Sequence, residues 1–490
     1  MPFSPTGWRP FWPGATGAGA SLLQQGLGAI FLLAFAAALH QFGPLLSSTG
    51  LLPIPSYLKG RRFRQAPSLF HWRYSDRFYR QVCILGLGLA GLAATGILQK
   101  APVLIGVTGW LLMTFLYLSL VNVGQRWFAF GWESMLVEAG FFAAFLGPQG
   151  MKPGWAAVFA LRWMLFRTEV GAGLIKLRHD KCWRDLTCLY YHYETQPVPN
   201  ALSWYFHRLP RWFHRAGVVG SHLVQVVVPF ALFLPQPLAG WAAWAIIAHQ
   251  GWLIVSGNYA WLNWLTVVLA FSGFASSGAV PRPLWFELVQ LGLLLFTLKL
   301  SQEPLLNLTR KTQLMNYSFN PWRLVNAYGA FGSVSRERYE VVLQGSREIF
   351  PTRPEDWQEY EFWAKPGHPA RRPPQIAPYH LRLDWVIWFV PLGLTLNLAL
   401  RDRPERRLAW RYESWFIAFL DGLLRNDLQL TRLLRHNPFA GEKGPVTLRA
   451  LIFHYRYTTP EERRETGHWW VRTQVGVYLP DYHGSLGRRG

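Results

Sequence analysis

Long apolar blocks separated by short polar loops make up roughly the first three-fifths of the chain. The blocks have the length that crosses a bilayer, about 20 residues, and they cover residues 22–42, 80–98, 102–123, 155–177, 217–234, 238–256, 259–275 and 284–300. A shorter block at 131–146 contains two glutamates and is interpreted either as a tilted span or as a re-entrant helix. The pattern therefore predicts a polytopic α-helical membrane bundle of eight or nine helices.

The pattern changes in the last third of the chain. Short aromatic and β-branched segments follow at 340–343, 360–363, 381–389, 448–457 and 469–478, and several of them alternate in polarity. Gly- and Pro-rich pieces such as 365–378 separate them, a spacing typical of a β-sandwich. Two stretches, 406–420 and 421–434, have helical periodicity instead. We therefore divide the chain into a transmembrane helical domain, residues 1–305, and a β-sandwich-like, water-facing domain with inserted helices, residues 306–490.

The chain is strongly basic, with a formal net charge of +22 and 51% hydrophobic residues. A basic chain can bind nucleic acid, but here the arginines flank apolar blocks and no recognisable nucleic-acid-binding motif accompanies them. The expected partner is the lipid bilayer, and no nucleic acid is expected. The positive-inside rule places the first loop in the cytoplasm and the N-terminus outside, because this loop holds Lys59, Arg61, Arg62, Arg64, Arg73, Arg77 and Arg80.

Four charged residues interrupt the predicted helix 155–177. Charges within a membrane helix are costly unless they are paired or face a wet cavity. The four are Arg162, Arg167, Glu169 and Lys176. A spacing of seven puts Glu169 on one helix face with both Arg162 and Lys176. Glu133 and Glu138 on the neighbouring short block are the candidate carboxylate partners.

Three interpretations of these charges remain open. In the first, the charged face lines a hydrophilic cavity with Lys176 at its mouth, where a buried lysine can act as a base. In the second, the charges form a structural ion network that joins helices. In the third, the helix lies in the membrane interface with its arginines snorkelling to the headgroups.

The three cysteines do not form a disulfide scaffold. Cys83 lies in an apolar run and is expected to pack as a small hydrophobe. Cys182 and Cys188 lie six apart in a polar loop, where they form either a local disulfide or free thiols, and a redox role is a weak alternative. His179 and His192 lie in the same loop without metal-ligand spacing, so no metal is expected. We interpret the loop as an amphipathic cap over the bundle.

Several motifs carry a resemblance to a known family. They are GAGLIKLRHDKCWRDLTCLYYHYETQPVPNALSWYFHRLP at 171–210, STGLLP at 48–53, GWESMLVEAGF at 131–141, VNAYGAFGSVSRERYEVVLQG at 325–345, EYEFWAKPGHPARRPPQIAPYHLRLDW at 359–385, LLRNDLQLTRLLRHNPF at 423–439 and GHWWVRTQVGVYLP at 467–480. In their order and in both halves of the chain they resemble the lipase maturation factor family.

The resemblance implies a multipass membrane protein with a chaperone-like role. Animal members reside in the endoplasmic reticulum, where they help secreted lipases to fold and assemble, so the implied partner is a client lipase and no cofactor is implied. The resemblance also implies that the C-terminal domain lies in the lumen, in conflict with the charge of the first loop. Arginine outnumbers lysine about four to one, which favours a bacterial source and then a plasma (inner) membrane location.

The membrane half also resembles, more distantly, that of vitamin K-dependent gamma-glutamyl carboxylase. The run AGLIKL at 172–177, followed by Trp183, is similar to the stretch that holds the catalytic base lysine of that enzyme, which Lys176 would match. The Asn-His pair of the carboxylase has no counterpart, because Gly131-Trp132-Glu133 stands in the equivalent region. We therefore expect a folding factor rather than an enzyme, and the alternative is a carboxylase-like membrane enzyme with Lys176 as its base.

Overall fold

A computed structural model describes residues 18–275, 280–392 and 412–484. Within these residues, nine helices of the N-terminal half pack into one bundle. They are α1 (Ala18–Leu46), α2 (Asp76–Ala94), α3 (Val103–Val123), α4 (Gly131–Ala143), α5 (Trp155–Arg178), α6 (Arg211–Phe233), α7 (Leu238–Ser256), α8 (Leu262–Ala270) and α9 (Leu284–Thr309).

Five of the described helices are long and apolar enough to cross a membrane: Gly19–Leu46, Val103–Val123, Arg211–Phe233, Leu238–Ser256 and Leu284–Thr309. The N-terminal half is thus a helical, membrane-spanning region. The prediction of eight or nine membrane helices is not confirmed, since only these five of the described helices have the required length and composition. Helix α4 is only about 20 Å long at 1.5 Å per residue, against a hydrocarbon core of about 30 Å.

Helix α4 lies inside the bundle and is buried almost all round. It packs against α1, α3, α5 and α8, and its Gly140 approaches the ring of Phe31 on α1 so closely that a Cβ there would collide with it. Around this contact, edge-to-face aromatic pairs join α1 to α3, as in Phe35 with Tyr117 at a centroid distance of 5.2 Å. A helix that is buried on every side needs no lipid-facing stripe.

Helix α6 is irregular where it passes α5. After Arg211–His222 it continues as a π-helical turn, Leu223–Val227, and then as a 3₁₀ helix, Val228–Phe233. Pro229 has no N–H to give to the preceding turn, which accounts for the break in the regular hydrogen-bond ladder. Gly173 of α5 lets the two helices meet here, because a Cβ at that position would lie 2.6 Å from Val226.

The first loop lies on the face of the bundle that contacts the C-terminal domain, here called the domain face. The loop contains the short helices Ile54–Leu58 and Leu69–His71. Asn122 at the end of α3 donates both to Pro67 O in this loop (3.0 Å) and to Pro321 O after α9 (3.1 Å). The basic loop and the C-terminal domain are therefore on the same side.

The opposite face, here called the far face, is formed by the other set of helix connections. Gln149 N donates to Gln99 O at 2.8 Å, and Lys152 N donates to Val280 O at 2.8 Å. The short helix Ile97–Lys100 lies here. Helix α1 begins at the far face, where a Cβ at Gly19 would lie 2.7 Å from the backbone of Phe274, and α9 ends at the domain face.

The C-terminal domain contains an antiparallel four-stranded sheet of order β2-β1-β5-β6 and a two-stranded sheet of β3 and β4. The strands are β1 (Arg338–Ser346), β2 (Gln358–Glu359), β3 (Glu361–Phe362), β4 (Leu434–His436), β5 (Thr447–Tyr457) and β6 (Trp470–Tyr482). Its α-helices are Arg382–Ile387, Ser414–Leu424, Leu428–Thr431 and Pro460–Thr466. The β-sandwich is not confirmed, because among the described residues only the two-stranded pair stands beside the four-stranded sheet.

Two predicted elements differ from the structure. The predicted strand at 381–389 is the helix Arg382–Ile387, all six residues of which are buried, and periodicity alone cannot separate a short buried helix from a buried strand. The predicted helix at 421–434 breaks at Asn426, whose φ is +49°, and ends in β4. Part of the helix predicted at 406–420 lies outside the described residues, and the domain division after residue 305 remains a prediction.

Candidate functional site

The charged side chains of α5 lie in separate clusters rather than in one network. Arg162, nearest the far face, donates its Nε to Ser272 O (3.0 Å) and its Nη2 to Gly273 O (3.4 Å), where α8 runs out into a 3₁₀ turn. Its partners are thus backbone carbonyls at a helix end, which carry the negative end of the helix dipole, rather than the carboxylate of Glu169.

Arg167 and Glu138 form an ion pair in which both side chains are at most 1% exposed. The other carboxylate oxygen of Glu138 accepts hydrogen bonds from Asn326 N and Asn326 Nδ2 (2.9 Å each) and from Tyr328 OH (2.8 Å). Arg167 also donates to Asn326 O and lies over the ring of Trp163 at 5.5 Å. This cluster fixes the segment that leads from α9 into β1 against the interior of the bundle.

Glu133 forms a second buried cluster with the C-terminal domain. Its Oε1 accepts from Arg382 Nη1 at 2.6 Å, and its Oε2 accepts from Tyr117 OH. Arg382 also donates to Trp127 O (2.6 Å), and its guanidinium lies 3.5 Å from the ring centroid of Phe128. Glu133 and Arg382 are at most 1% exposed, so this pair joins α4 to the C-terminal domain out of contact with bulk solvent.

His380 completes the Glu133 cluster as a neutral side chain. Its Nδ1 lies 3.3 Å from Glu133 Oε1, and its backbone carbonyl accepts from Gln41 Nε2 at 2.7 Å. Burial, together with the neighbouring positive charge of Arg382, lowers the pKa of His380 to about 4. A neutral imidazole leaves Glu133 with one counter-charge, the guanidinium.

Lys176 and Glu169 share the third cluster, and side chains from α6 and α7 connect them. Lys176 Nζ donates to Gln225 Oε1 at 2.8 Å, and Gln250 Nε2 donates to Glu169 Oε1 at 2.7 Å. The Gln225 amide also lies beside the Glu169 carboxylate. Lys176 lies 4.8 Å from the ring centroid of Trp183, in a cation–π contact. The lysine is thus enclosed by an amide, an indole and the π-helical turn of α6.

The segment 179–210 between α5 and α6, here called the cap, contains the short helices Lys181–Arg184, Leu189–Thr195 and Ser203–His207. A disulfide joins Cys182 to Cys188 in the cap above Lys176, and both cysteines are buried. Asp180 accepts from Cys182 N at 3.0 Å and pairs with Arg336 at 2.8 Å, which holds the cap against the C-terminal domain. Asp180 and the two sulfurs lie within 4.8 Å of one another, but sulfurs in a disulfide are not thiolate ligands.

His192 of the cap is buried in the same environment. Its Nε2 lies 2.9 Å from Tyr259 OH. Burial lowers the pKa of His192 to about 3, and the positive charge of Lys176 contributes in the same direction. The imidazole is therefore neutral at physiological pH. Its neighbours in the described chain are aromatic rings, among them Phe331 at a centroid distance of 5.0 Å.

The cap docks directly on the sheet of the C-terminal domain. Tyr457 N donates to Glu194 Oε2 at 2.7 Å, and Trp204 Nε1 donates to Thr458 O at 3.0 Å. Arg338 at the start of β1 donates to Glu194 O at 3.0 Å. The disulfide and the C-terminal domain are consequently on the same side of the bundle.

The uncharged partners in these clusters were not predicted from the sequence. Gln225 and Gln250 are amides in largely apolar spans, which is a usable signal, since polar groups in such spans seek partners. Arg382 gave no comparable signal, because basic residues are frequent in this part of the chain. Its role depends on a contact across 249 residues of sequence.

The clusters around Glu138, Glu133 and Lys176 are buried where several elements meet. Two glutamates of α4 each bind an arginine, and both clusters include residues that follow α9. The lysine is held by Gln225 and Trp183 at the place where α5, α6 and the cap meet. Each cluster joins elements that are distant in sequence.

Comparison with known families gives matches over both halves of the chain. A family model described as the lipase maturation factor transmembrane domain matches residues 19–278, and one described as the lipase maturation factor C-terminal domain matches residues 324–480. The two models leave the junction between 278 and 324 unmatched. No solved structure matches the chain.

Similar proteins are found among vertebrates. Lipase maturation factor 1 of Bos taurus is 36% identical, with 94% of this chain and 88% of that protein aligned. The protein of the same name from Homo sapiens is also 36% identical, over 94% and 87% of the two chains. Lipase maturation factor 2 of Gallus gallus is 28% identical, over 94% and 80%. These relatives give no support to a bacterial source.

Proposed function

The chain belongs to the lipase maturation factor family, and from that premise we propose that it assists the folding or assembly of a secreted lipase, with its C-terminal domain as the part that meets the client. The observation that carries the proposal is the match to Lipase maturation factor 1 along nearly the whole of both chains. The names of the relatives supply the class of client and not its identity.

The structure supports a C-terminal domain that is fixed rather than tethered. Arg382 binds Glu133, and Asn326 and Tyr328 bind Glu138, so two buried contacts run from α4 into the chain beyond α9. A folding factor held in this way presents its client surface at a constant distance and angle from the membrane. Loss of either contact should therefore lower client maturation as well as stability.

The exposed apolar tip of the sheet is our candidate client surface. Phe350 is 83% exposed, and its neighbour Ile349 and Val446 are also exposed. Thr447 Oγ1 donates to Ile349 O at 3.2 Å, which brings the segment after β1 next to the start of β5. Exposed large apolar side chains that adjoin one another mark interaction surfaces, and unfolded clients offer apolar segments.

A rescue assay tests both parts of this proposal. Cells that lack their own lipase maturation factors receive this chain and a secreted lipase, and the readout is lipase activity per unit of secreted lipase antigen at equal mRNA. The wild-type chain should raise it, and Phe350→Ser should lower the gain without lowering the amount of membrane protein. Leu428→Ser is the matched control, since Leu428 is a comparably exposed leucine on the helix Leu428–Thr431. No gain from the wild type refutes the function, whereas equal rescue by both variants refutes only the surface.

We also propose that the domain face lies in an oxidising lumen, that of the endoplasmic reticulum. Disulfides persist in such compartments, and the disulfide between Cys182 and Cys188 shares its side with the C-terminal domain. The far face, and with it the start of α1, would then be in the cytosol. The basic first loop would be lumenal, against the positive-inside rule, which sets a preference and is overridden in some proteins.

Labelling in sealed microsomes tests this topology. A single reactive cysteine is introduced at Glu355, exposed on the C-terminal domain, or at Gln149, exposed on the far face. A membrane-impermeant maleimide should label Gln149→Cys in intact vesicles and Glu355→Cys only after detergent is added. The reverse pattern would refute the proposal. Cys83 is buried and gives little background.

We further propose that Lys176 joins helices rather than acting as a base. It is held by Gln225 and lies against Trp183, and these contacts explain its burial without any substrate. Lys176→Arg keeps the charge and should keep much of the rescue activity, whereas Lys176→Met should lose stability and activity together. A stable Lys176→Met protein without rescue activity would contradict this assignment.

A further inference from the structure

An apolar cleft of about 460 Å³ opens on the side of the bundle between α3 and α9. Its walls include Leu111 and Leu118 of α3 and Phe296 of α9, and Val137 of α4 forms the back. Trp322, which follows α9, closes the end at the domain face. The volume is within the range of sites that take small molecules, about 300–1,000 Å³.

The cleft lies within one leaflet of the bilayer. Leu111 and Leu118 are seven residues apart, so the wall extends about 10 Å along α3 at 1.5 Å per residue. Leu118 is followed by five more residues before α3 ends at Val123 on the domain face. The cleft thus runs from near the middle of the membrane to the interface nearest the C-terminal domain.

The mouth of the cleft opens toward lipid. Helices α3 and α9 are both membrane spans, and the residues beside the opening, Leu112 and Leu295, are 40% and 60% exposed. The described lining has no charged side chain, and its polar side chains are Thr114 and Asn320 among nine apolar ones. An ion would find no counter-charge there, whereas a hydrocarbon chain would gain dispersion contacts with the apolar side chains.

A fixed turn forms the roof and keeps the cleft from collapsing. Asn320 Nδ2 donates to Leu324 O at 2.6 Å. Arg323 between them donates to Asn122 Oδ1 at 2.7 Å and to Ser134 Oγ at 3.1 Å, which pins the turn to α3 and α4. The half-exposed Trp322 lies beside this turn, at the level where tryptophans meet lipid headgroups.

We propose that this cleft binds one acyl chain of a membrane phospholipid from the leaflet nearest the C-terminal domain. The chain enters between α3 and α9 and reaches Val137 of α4, and its headgroup stays beside Trp322. The roof turn runs directly into the segment that binds Glu138. The bound lipid therefore supports the junction between the two halves of the protein, independently of which client the protein serves.

Photolabelling of the full-length protein tests the site. The protein is placed in phosphatidylcholine nanodiscs that contain phosphatidylcholine with a diazirine in one acyl chain, and labelled peptides are identified by mass spectrometry. Val137 is 1% exposed, so label on α4 requires a chain inside the cleft. Label on the exposed face of α9 serves as the internal reference for chains at the surface.

Leu111→Trp and Leu112→Trp form the matched pair of variants. The first fills the cleft, and the second places the same side chain next to it on the lipid face. Leu111→Trp should lower the ratio of α4 label to α9 label about tenfold, as expected when about two methylene groups of the acyl chain lose their burial in the cleft. Leu112→Trp should leave this ratio unchanged. The proposal is overturned if α4 of the wild type is not labelled while α9 is, or if both variants retain the wild-type ratio.

Discussion

Replacement of Arg382 by methionine should destabilise the protein more than almost any other single change at the junction. Glu133 and Arg382 are at most 1% exposed, and the guanidinium is the counter-charge of the carboxylate. Removal of one partner of a buried pair costs about 3–5 kcal/mol, since the remaining charge stays buried without compensation. Methionine keeps much of the side-chain volume, so the loss of charge dominates over the loss of packing against Phe128.

The magnitude is measured by denaturation of the purified protein in detergent micelles, followed by circular dichroism. Proteolysis of the folded protein gives a second readout, because a released C-terminal domain should be cleaved from the bundle sooner. Glu133→Gln restores neutrality in the background of Arg382→Met. The double variant should therefore lose less than the sum of the two single changes, by a coupling of about 1–3 kcal/mol.

Arg126→Met is the matched control at the same junction. Arg126 also pairs with a glutamate of the C-terminal domain, Glu413, but the two side chains are 51% and 46% exposed. An exposed pair contributes under about 1 kcal/mol. Equal effects of Arg382→Met and Arg126→Met, or an additive double variant with Glu133→Gln, would show that the buried pair does not hold the two halves together.

Three further predictions test other parts of the structure. Alkylation of the unfolded, unreduced chain should modify Cys83 alone, and prior reduction should raise the number of modified cysteines to three, as counted by mass spectrometry. Burial lowers the pKa of His380 from 6.5 to about 4, so on acidification the unfolded chain binds a proton before the folded chain does. The free energy of unfolding should therefore fall by up to about 1.4 kcal/mol per pH unit from pH 6.5 to 4. His380→Asn should lack this pH-dependent loss of stability, and a pH profile of His380→Asn parallel to that of the wild type would exclude His380 as its source. Gly171→Ala should lower the thermal denaturation midpoint, because the added Cβ would collide with the backbone carbonyl of Tyr328, at a cost of about 1–3 kcal/mol. Gly220→Ala is the control and should not lower the midpoint, because its Cβ would meet open space.

The sequence predicted the bundle well where hydrophobic length decides the outcome. The block at 238–256 is a helix with the same bounds, and the block at 102–123 differs by one residue at its start. Apolar length and the backbone's need for internal hydrogen bonds in lipid leave little choice there. The block at 131–146 was harder to interpret, because a helix buried by its own protein carries the same apolar signal as one buried by lipid.

The sites were predictable only as far as local spacing reaches. Charges within a membrane helix indicated that Arg167 and Lys176 have partners, but helical spacing suggested Glu169 as the partner of Arg162. The structure gives Arg162 the carbonyl oxygen of Ser272 instead. Partners that come from distant segments, such as Arg382 for Glu133, follow from the tertiary fold, which local periodicity does not encode.

The two glutamates of α4 explain why a short, charged helix lies at the centre of a membrane bundle. Five residues apart, Glu133 and Glu138 project from the helix about 140° apart at 100° per residue. One meets Arg382 of the C-terminal domain, and the other meets Arg167 of α5 together with the segment that leads into β1. An apolar α4 would leave Arg167 buried and unpaired within the bundle, and it would leave Arg382 buried and unpaired when the C-terminal domain docks. Glu133 therefore supplies Arg382 with its carboxylate only when the C-terminal domain is docked, so this buried pair favours the docked state.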